Sequence, residues 1–160
     1  MSDTLNLAEC GQIGRPSVDA ETAKAFLVAA ALQQLDRVQS FIEAGGLHPD
    51  TTYGGKPTAL CYAVLKPHPV LATYLLDKGA DIHRRDGMGM TPLHYAALGG
   101  CVYCAACLVG RGACLNAENC RGQTPLTLTL EKPHLGLCRE FLTRHGAAHC
   151  QADPGATQFH

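Results

Sequence analysis

The feature that most constrains this chain is a short phrase that returns at a fixed interval. Thr91-Pro92-Leu93 is answered by Thr124-Pro125-Leu126, 33 residues downstream, and by Thr58-Ala59-Leu60, 33 residues upstream. A second landmark recurs beside it: Leu75-Leu76-Asp77-Lys78-Gly79-Ala80 returns 33 residues on as Leu108-Val109-Gly110-Arg111-Gly112-Ala113, and after one residue more as Leu142-Thr143-Arg144-His145-Gly146-Ala147. Two landmarks per period describe one supersecondary unit used several times. Such a unit cannot bury its apolar side alone, so consecutive units must stack.

The residues of each unit say what it is. A Thr at the N-cap accepts from a free amide of the first helical turn, and a Pro at the next position has no amide to lose and a torsion already suited to helix. Each Thr-Pro therefore starts a helix. Leu93, Ala96 and Ala97 place one large and two small apolar groups on one helical face, which lets a partner helix and the neighbouring unit approach closely. Gly79 and Gly112 suit the left-handed residue that ends a helix. The unit is a helical hairpin with an exposed loop.

A period of 33 carrying Thr91-Pro92-Leu93-His94-Tyr95-Ala96 resembles the ankyrin repeat over roughly residues 25–150. The resemblance implies an all-α solenoid of about four helix-turn-helix repeats with short β-turn or hairpin loop tips. The repeats fall at about 17–50, 51–83, 84–116 and 117–150, between a flexible extension over 1–16 and a disordered tail over 151–160. In the first repeat Ser17 is expected to cap a helix running to about Gln33, with Phe26, Ala29 and Ala30 in the places of Leu93, Ala96 and Ala97. Aligning Gly45 with Gly79 puts one extra residue in the loop from His48 to Pro57. Pro69 should start a helix after His68. In the fourth repeat Thr127, Thr129 and Leu130 replace His94, Ala96 and Ala97, and an extra residue after His134 predicts a shifted or frayed last helix.

Composition narrows the class. The 160 residues are 46% apolar and 17% charged with net charge −1, which gives no electrostatic case for nucleic-acid binding. No apolar run approaches the roughly 20 residues that span a bilayer, and the first ten residues lack the basic and apolar regions of a secretory leader. Nine cysteines, an odd number without regular spacing, point to reduced thiols and a cytoplasmic location rather than a secreted disulfide framework.

Four groupings could carry chemistry. Cys101-x2-Cys104-x2-Cys107 has metal-like spacing, yet the register puts Cys104 and Cys107 where apolar residues bury the second helix, and residues three apart on a helix supply at most two zinc ligands well. Cys138, His145, His149 and Cys150 have the right ligand types, but His145 precedes a helix-ending glycine, a common place for histidine. These clusters define an alternative reading as a thiol- or zinc-dependent sensor. His94 could serve as a base, but a dyad needs an orienting third group, and in ankyrin repeats this histidine bonds the loops of its own and the neighbouring repeat. Arg84-Arg85 is a basic pair at a loop tip. No catalytic, metal or cofactor site is expected, and no small-molecule substrate.

What the resemblance implies about function is protein binding through loop tips and the concave side of the first helices. Carried over by position, the partner-binding residues are Leu32, Tyr53, Leu65, Arg85, Met88, Met90, Leu98, Arg121 and Gln123, and the same carry-over includes Ala31 and Gly99. The apolar members, Leu32, Tyr53, Leu65, Met88, Met90 and Leu98, should line one continuous groove, since exposed apolar patches mark interaction sites and methionine moulds to a partner. An inhibitor or immunity protein, an adaptor, or a secreted effector capturing a host protein would each use such a surface.

Overall fold

The computed structural model describes residues 18–147, so the predicted extension over 1–16 and tail over 151–160 lie outside the described residues. Eight α-helices follow one another as four hairpins: α1 (Ala20–Ala31) with α2 (Leu35–Glu43), α3 (Ala59–Leu65) with α4 (Pro69–Asp77), α5 (Pro92–Gly99) with α6 (Val102–Gly110), and α7 (Pro125–Leu130) with α8 (Gly136–Arg144). Among the described residues there is no strand. The first helices pack on one another in the order α1, α3, α5, α7, and each is backed by its own second helix.

Local chemistry sets the helix starts. Thr58, Thr91 and Thr124 are the N-caps of α3, α5 and α7, and Pro92 and Pro125 occupy the first helical turn. Pro69 opens α4, capped by His68, whose ring nitrogen accepts from Leu71 N at 3.1 Å. Cys101 plays the same part for α6, its sulfur accepting from Cys104 N at 3.1 Å. The first helix departs from expectation. Ser17 lies outside the described residues, the cap is Asp19, which accepts from Thr22 N at 2.8 Å, and the helix ends at Ala31. Gln33 then takes a left-handed φ of 60°, the role Gly100 fills in repeat three with φ 69°.

Helix stops correct the register. Gly79, Gly112 and Gly146 are left-handed, and the following amides of Ala80, Ala113 and Ala147 return five residues to Leu75 O, Leu108 O and Leu142 O. In repeat one the left-handed glycine is Gly46, not Gly45, and Leu47 N reaches back six residues to Phe41 O at 3.1 Å. The extra residue therefore sits at the end of α2. Gly46 to Thr58, Gly79 to Thr91 and Gly112 to Thr124 are connections of equal length, so the loop from His48 to Pro57 carries no insertion. In repeat four a 3-10 turn over Pro133–Leu135 takes up the added residue, and α8 has the same nine residues as α6 instead of being frayed.

The core runs between the two layers. Phe26, Ala29 and Ala30, then Leu60, Ala63 and Val64, then Leu93, Ala96 and Ala97 are fully buried in successive first helices, against Val38, Leu71, Leu75, Cys104 and Leu108 of the second layer. The small residues set the spacing, and Gly99 sets it most tightly: a Cβ there would lie 2.3 Å from Leu65 O and 3.0 Å from Val64 O. Gly99, expected to face a partner, instead lets α5 seat against the end of α3. In repeat four Leu126 and Thr129 keep the pattern, while Leu130 is exposed.

Candidate partner-binding groove

Three loop tips precede the first helices of repeats two to four, at 51–57, 84–90 and 117–123. The second is built by one carboxylate. Asp86 Oδ1 accepts from Met88 N at 2.8 Å and Met90 N at 2.9 Å, closing the turn in which Gly89 N donates to Asp86 O at 3.0 Å. The third tip repeats this with an amide: Asn119 Oδ1 accepts from Arg121 N at 2.8 Å and Gln123 N at 3.0 Å. The other carboxylate oxygen of Asp86 accepts a short hydrogen bond from the Tyr95 hydroxyl. Burial, together with that bond, pushes the Tyr95 phenol well above its ordinary pKa, so it stays a donor. Tip one has Tyr53 where the others have Asp86 and Asn119, and closes through Lys56 N to Tyr53 O at 3.1 Å. The tips are joined in series, Gly87 N to Gly55 O and Cys120 N to Met88 O, both at 2.9 Å.

His94 joins a helix start to the next tip. Its Nδ1 accepts from Thr91 N at 3.1 Å and lies 2.9 Å from Thr91 Oγ1, and its Nε2 lies 2.9 Å from Gln123 O. Accepting at Nδ1 requires the proton to be on Nε2, which then donates to the carbonyl. The ring is fully buried. Burial, with a smaller contribution from the Arg85 charge, lowers its pKa. The matching positions hold Cys61 and Thr127, which bond their own caps, Thr58 and Thr124.

The predicted contact residues separate into four groups. Leu32 (59% exposed), Tyr53 (40%) and Met88 (52%) stand open to solvent, and so does Arg121. Leu65 and Leu98 are half-buried. Met90 is a correction: it is only 6% exposed, with the Asn119 amide 3.3 Å from its sulfur, because the third tip folds over it. Arg85 and Gln123 serve the scaffold as well as the surface. Arg85 Nη1 donates to Glu118 O at 2.8 Å, and Gln123 Oε1 accepts from Asn119 Nδ2 at 3.1 Å.

The groove that does form is at the amino-terminal end. A cleft of about 210 Å³ opens between α1, tip one and α3, lined by Lys24, Leu27, Val28, Ala31, Tyr53, Lys56 and Tyr62. Sequence reasoning placed Ala31 and Tyr53 here and missed the rest. Val28 occupies the register position of Tyr62 and Tyr95, each of which has a tip before its helix. In repeat one the helix extends back to Ala20 in place of a tip, and Val28 is left exposed. The signal was present as Lys24, Val28 and Leu32, four residues apart on one helical face.

The buried thiols Cys61, Cys104 and Cys138 are not activated nucleophiles. Burial pushes the Cys61 thiol up to about 12 and Cys138 to about 11, and raises Cys104 further, the reverse of what a reactive cysteine needs. Cys101 and Cys104 are the buried members of their cluster, whereas Cys107, expected to be buried, is half-buried. Among the described residues no group of three or more His, Cys, Asp or Glu could hold a metal ion; His149 and Cys150 lie outside them. Also among the described residues, no helix is long and apolar enough to cross a membrane.

A row of stacked helical hairpins whose capped tips project beside a groove defines a repeat solenoid of the protein-binding class. The family model for ankyrin repeats, in three copies, matches residues 26–119, and the chain belongs to the ankyrin repeat family. It is similar to protein phosphatase 1 regulatory subunit 27 of Mus musculus, 38% identical over 94 residues, which are 59% of this chain and 61% of that protein. The Homo sapiens protein of the same name is 36% identical over 94 residues, with the same coverage. A stretch of neurogenic locus notch homolog protein 1 of Xenopus tropicalis is 31% identical over 125 residues, 77% of this chain and 5% of that protein. The matched part thus spans about three fifths of the phosphatase subunits' length.

Proposed function

We propose that the chain is a non-catalytic interaction module that takes a segment of a partner protein into the groove between its first helices and tips, working as an inhibitor or adaptor. The observation that carries this is the open cleft of about 210 Å³ walled by Leu27, Val28, Ala31, Tyr53 and Tyr62, with Leu32 exposed one turn further along α1. Solvent-facing apolar walls of this kind cost solubility and are kept where a partner covers them. Tip residues Met88 and Arg121 extend the contact. The seven described cysteines are free thiols, which supports a reducing, cytosolic setting.

The likeness to a regulatory subunit of protein phosphatase 1 makes that phosphatase the first partner to test. A photo-reactive amino acid placed at Tyr53, and separately at Tyr103 on the second layer, supplies the experiment. Cross-linking to a partner from position 53 and not from 103 is the expected result. A partner captured only from position 103 refutes the groove assignment.

A further inference from the structure

The groove's rim carries charge of one sign. Lys24 and Lys56 both line it, and no carboxylate is among the lining residues. The Lys24 ammonium stands 4.9 Å from the centre of the Tyr53 ring, which places the cation beside the largest apolar wall. Lys24 already holds one carboxylate, Glu21 Oε1 at 2.9 Å, from a side chain 84% exposed and therefore cheap to displace. Lys56 has no ion-pair partner among the described residues. The second-layer helices behave differently: Glu43 with Lys78 at 3.2 Å, Asp77 with Arg111 at 2.6 Å and Glu140 with Arg144 at 2.9 Å cancel their charges in pairs. At the open apolar surface both lining charges are positive, Lys24 held by a displaceable Glu21 and Lys56 without an ion pair among the described residues.

Resting on the groove reading above, we infer that the occupant is an acidic–apolar protein segment: one large aliphatic or aromatic side chain seated between Val28 and Tyr62, flanked by Asp or Glu side chains that meet Lys24 and Lys56. The volume of about 210 Å³ suits a single side chain of that size rather than a folded surface. Its carboxylates exchange Glu21 for a partner and give Lys56 one. The opposite assignment, a basic segment, would bring ammonium groups against two lysines and meet repulsion.

The test uses the full chain and a displayed library of random twelve-residue peptides, followed by anisotropy titration of the selected sequences. The expected consensus has one large apolar residue flanked by Asp or Glu. Affinity should fall about tenfold or more in a Lys24→Glu/Lys56→Glu double variant, and fall with salt as exposed charge pairs are screened. A Val28→Asp variant separates the two levels of the reading. If selected peptides lose binding in Val28→Asp but carry no acidic excess, or bind the double variant as tightly as wild type, the charge inference is overturned while the groove stands. If they ignore Val28→Asp as well, or if no peptide is enriched, both fall. Tighter binding of a fluorescent single-stranded DNA than of the best peptide would also overturn it.

Discussion

His94 allows a prediction in which one residue's contacts fix both a magnitude and its pH dependence. Replacing it with alanine leaves Thr91 N and Gln123 O, both inside the stack, without their partner and opens a cavity where a fully buried ring stood. Each orphaned buried group costs about 1–3 kcal/mol, so His94→Ala should lose on the order of 3 kcal/mol at neutral pH. Acidification should erode that difference. The folded-state pKa lies below the ordinary 6.5 because burial disfavours the charged ring, so below pH 6.5 the unfolded chain binds a proton that the folded chain refuses. Wild-type stability therefore falls as pH drops from about 6.5, by at most about 1.4 kcal/mol per pH unit from this residue, and the alanine variant lacks that contribution. Urea unfolding followed by circular dichroism, at pH 7.5 and 5.5, measures both. The gap between wild type and His94→Ala should be smaller at pH 5.5. A constant gap, or one that widens on acidification, would refute the assignment of a neutral ring donating to Gln123.

Three further outcomes follow from the packing. Gly99→Ala should cost about 1–3 kcal/mol although alanine is the better helix former, because its methyl meets the Leu65 carbonyl; an unchanged or raised Tm would contradict the close approach of α5 to α3. Asp86→Ala removes acceptors from Met88 N, Met90 N and the Tyr95 hydroxyl and should lower stability by about 1–3 kcal/mol, with faster hydrogen exchange concentrated in residues 84–90. Native thiol titration should modify the exposed Cys114 and Cys120 promptly, while Cys61, Cys104 and Cys138 wait for unfolding; rapid labelling of all nine cysteines of the chain would show that the stack is open.

The register of helix starts and stops was legible because backbone chemistry sets it locally. Thr58, Thr91 and Thr124 cap wherever they stand, and Gly79 and Gly112 are left-handed for reasons internal to their own hairpins. What escaped the sequence depends on neighbours. Two adjacent glycines at 45 and 46 are equivalent candidates until the hydrogen bond from Leu47 to Phe41 chooses between them. Met88 and Met90 look alike as letters, and only the third tip folding over the second buries one and leaves the other exposed. Cys107 sits one helical turn from Cys104 but is only half-buried. Val28 shares a register position with the half-buried Tyr62 and Tyr95, and it stands open because in repeat one the helix reaches back to Ala20 where the others have a tip. Ser17 and Asp19 compete for one cap, and the sequence alone ranks them about equally.

The bonds between tips are unevenly distributed along the array, and this bears on how the molecule deforms. Tip two is tied to tip one through the amide of Gly87 on Gly55 O, whereas repeat three grips tip three through Cys120 N on Met88 O, Arg85 on Glu118 O, His94 on Gln123 O and the Asn119 amide on Met90. Repeats three and four should therefore move as one stiff block, and tip one, with Tyr53 and Lys56 on it, as a more compliant flap. On the groove reading proposed above, compliance at that end would let the cleft widen to admit a side chain and close behind it, with the strain kept out of the carboxy-terminal half. An array built this way would begin to unzip at the end where the proposed groove lies.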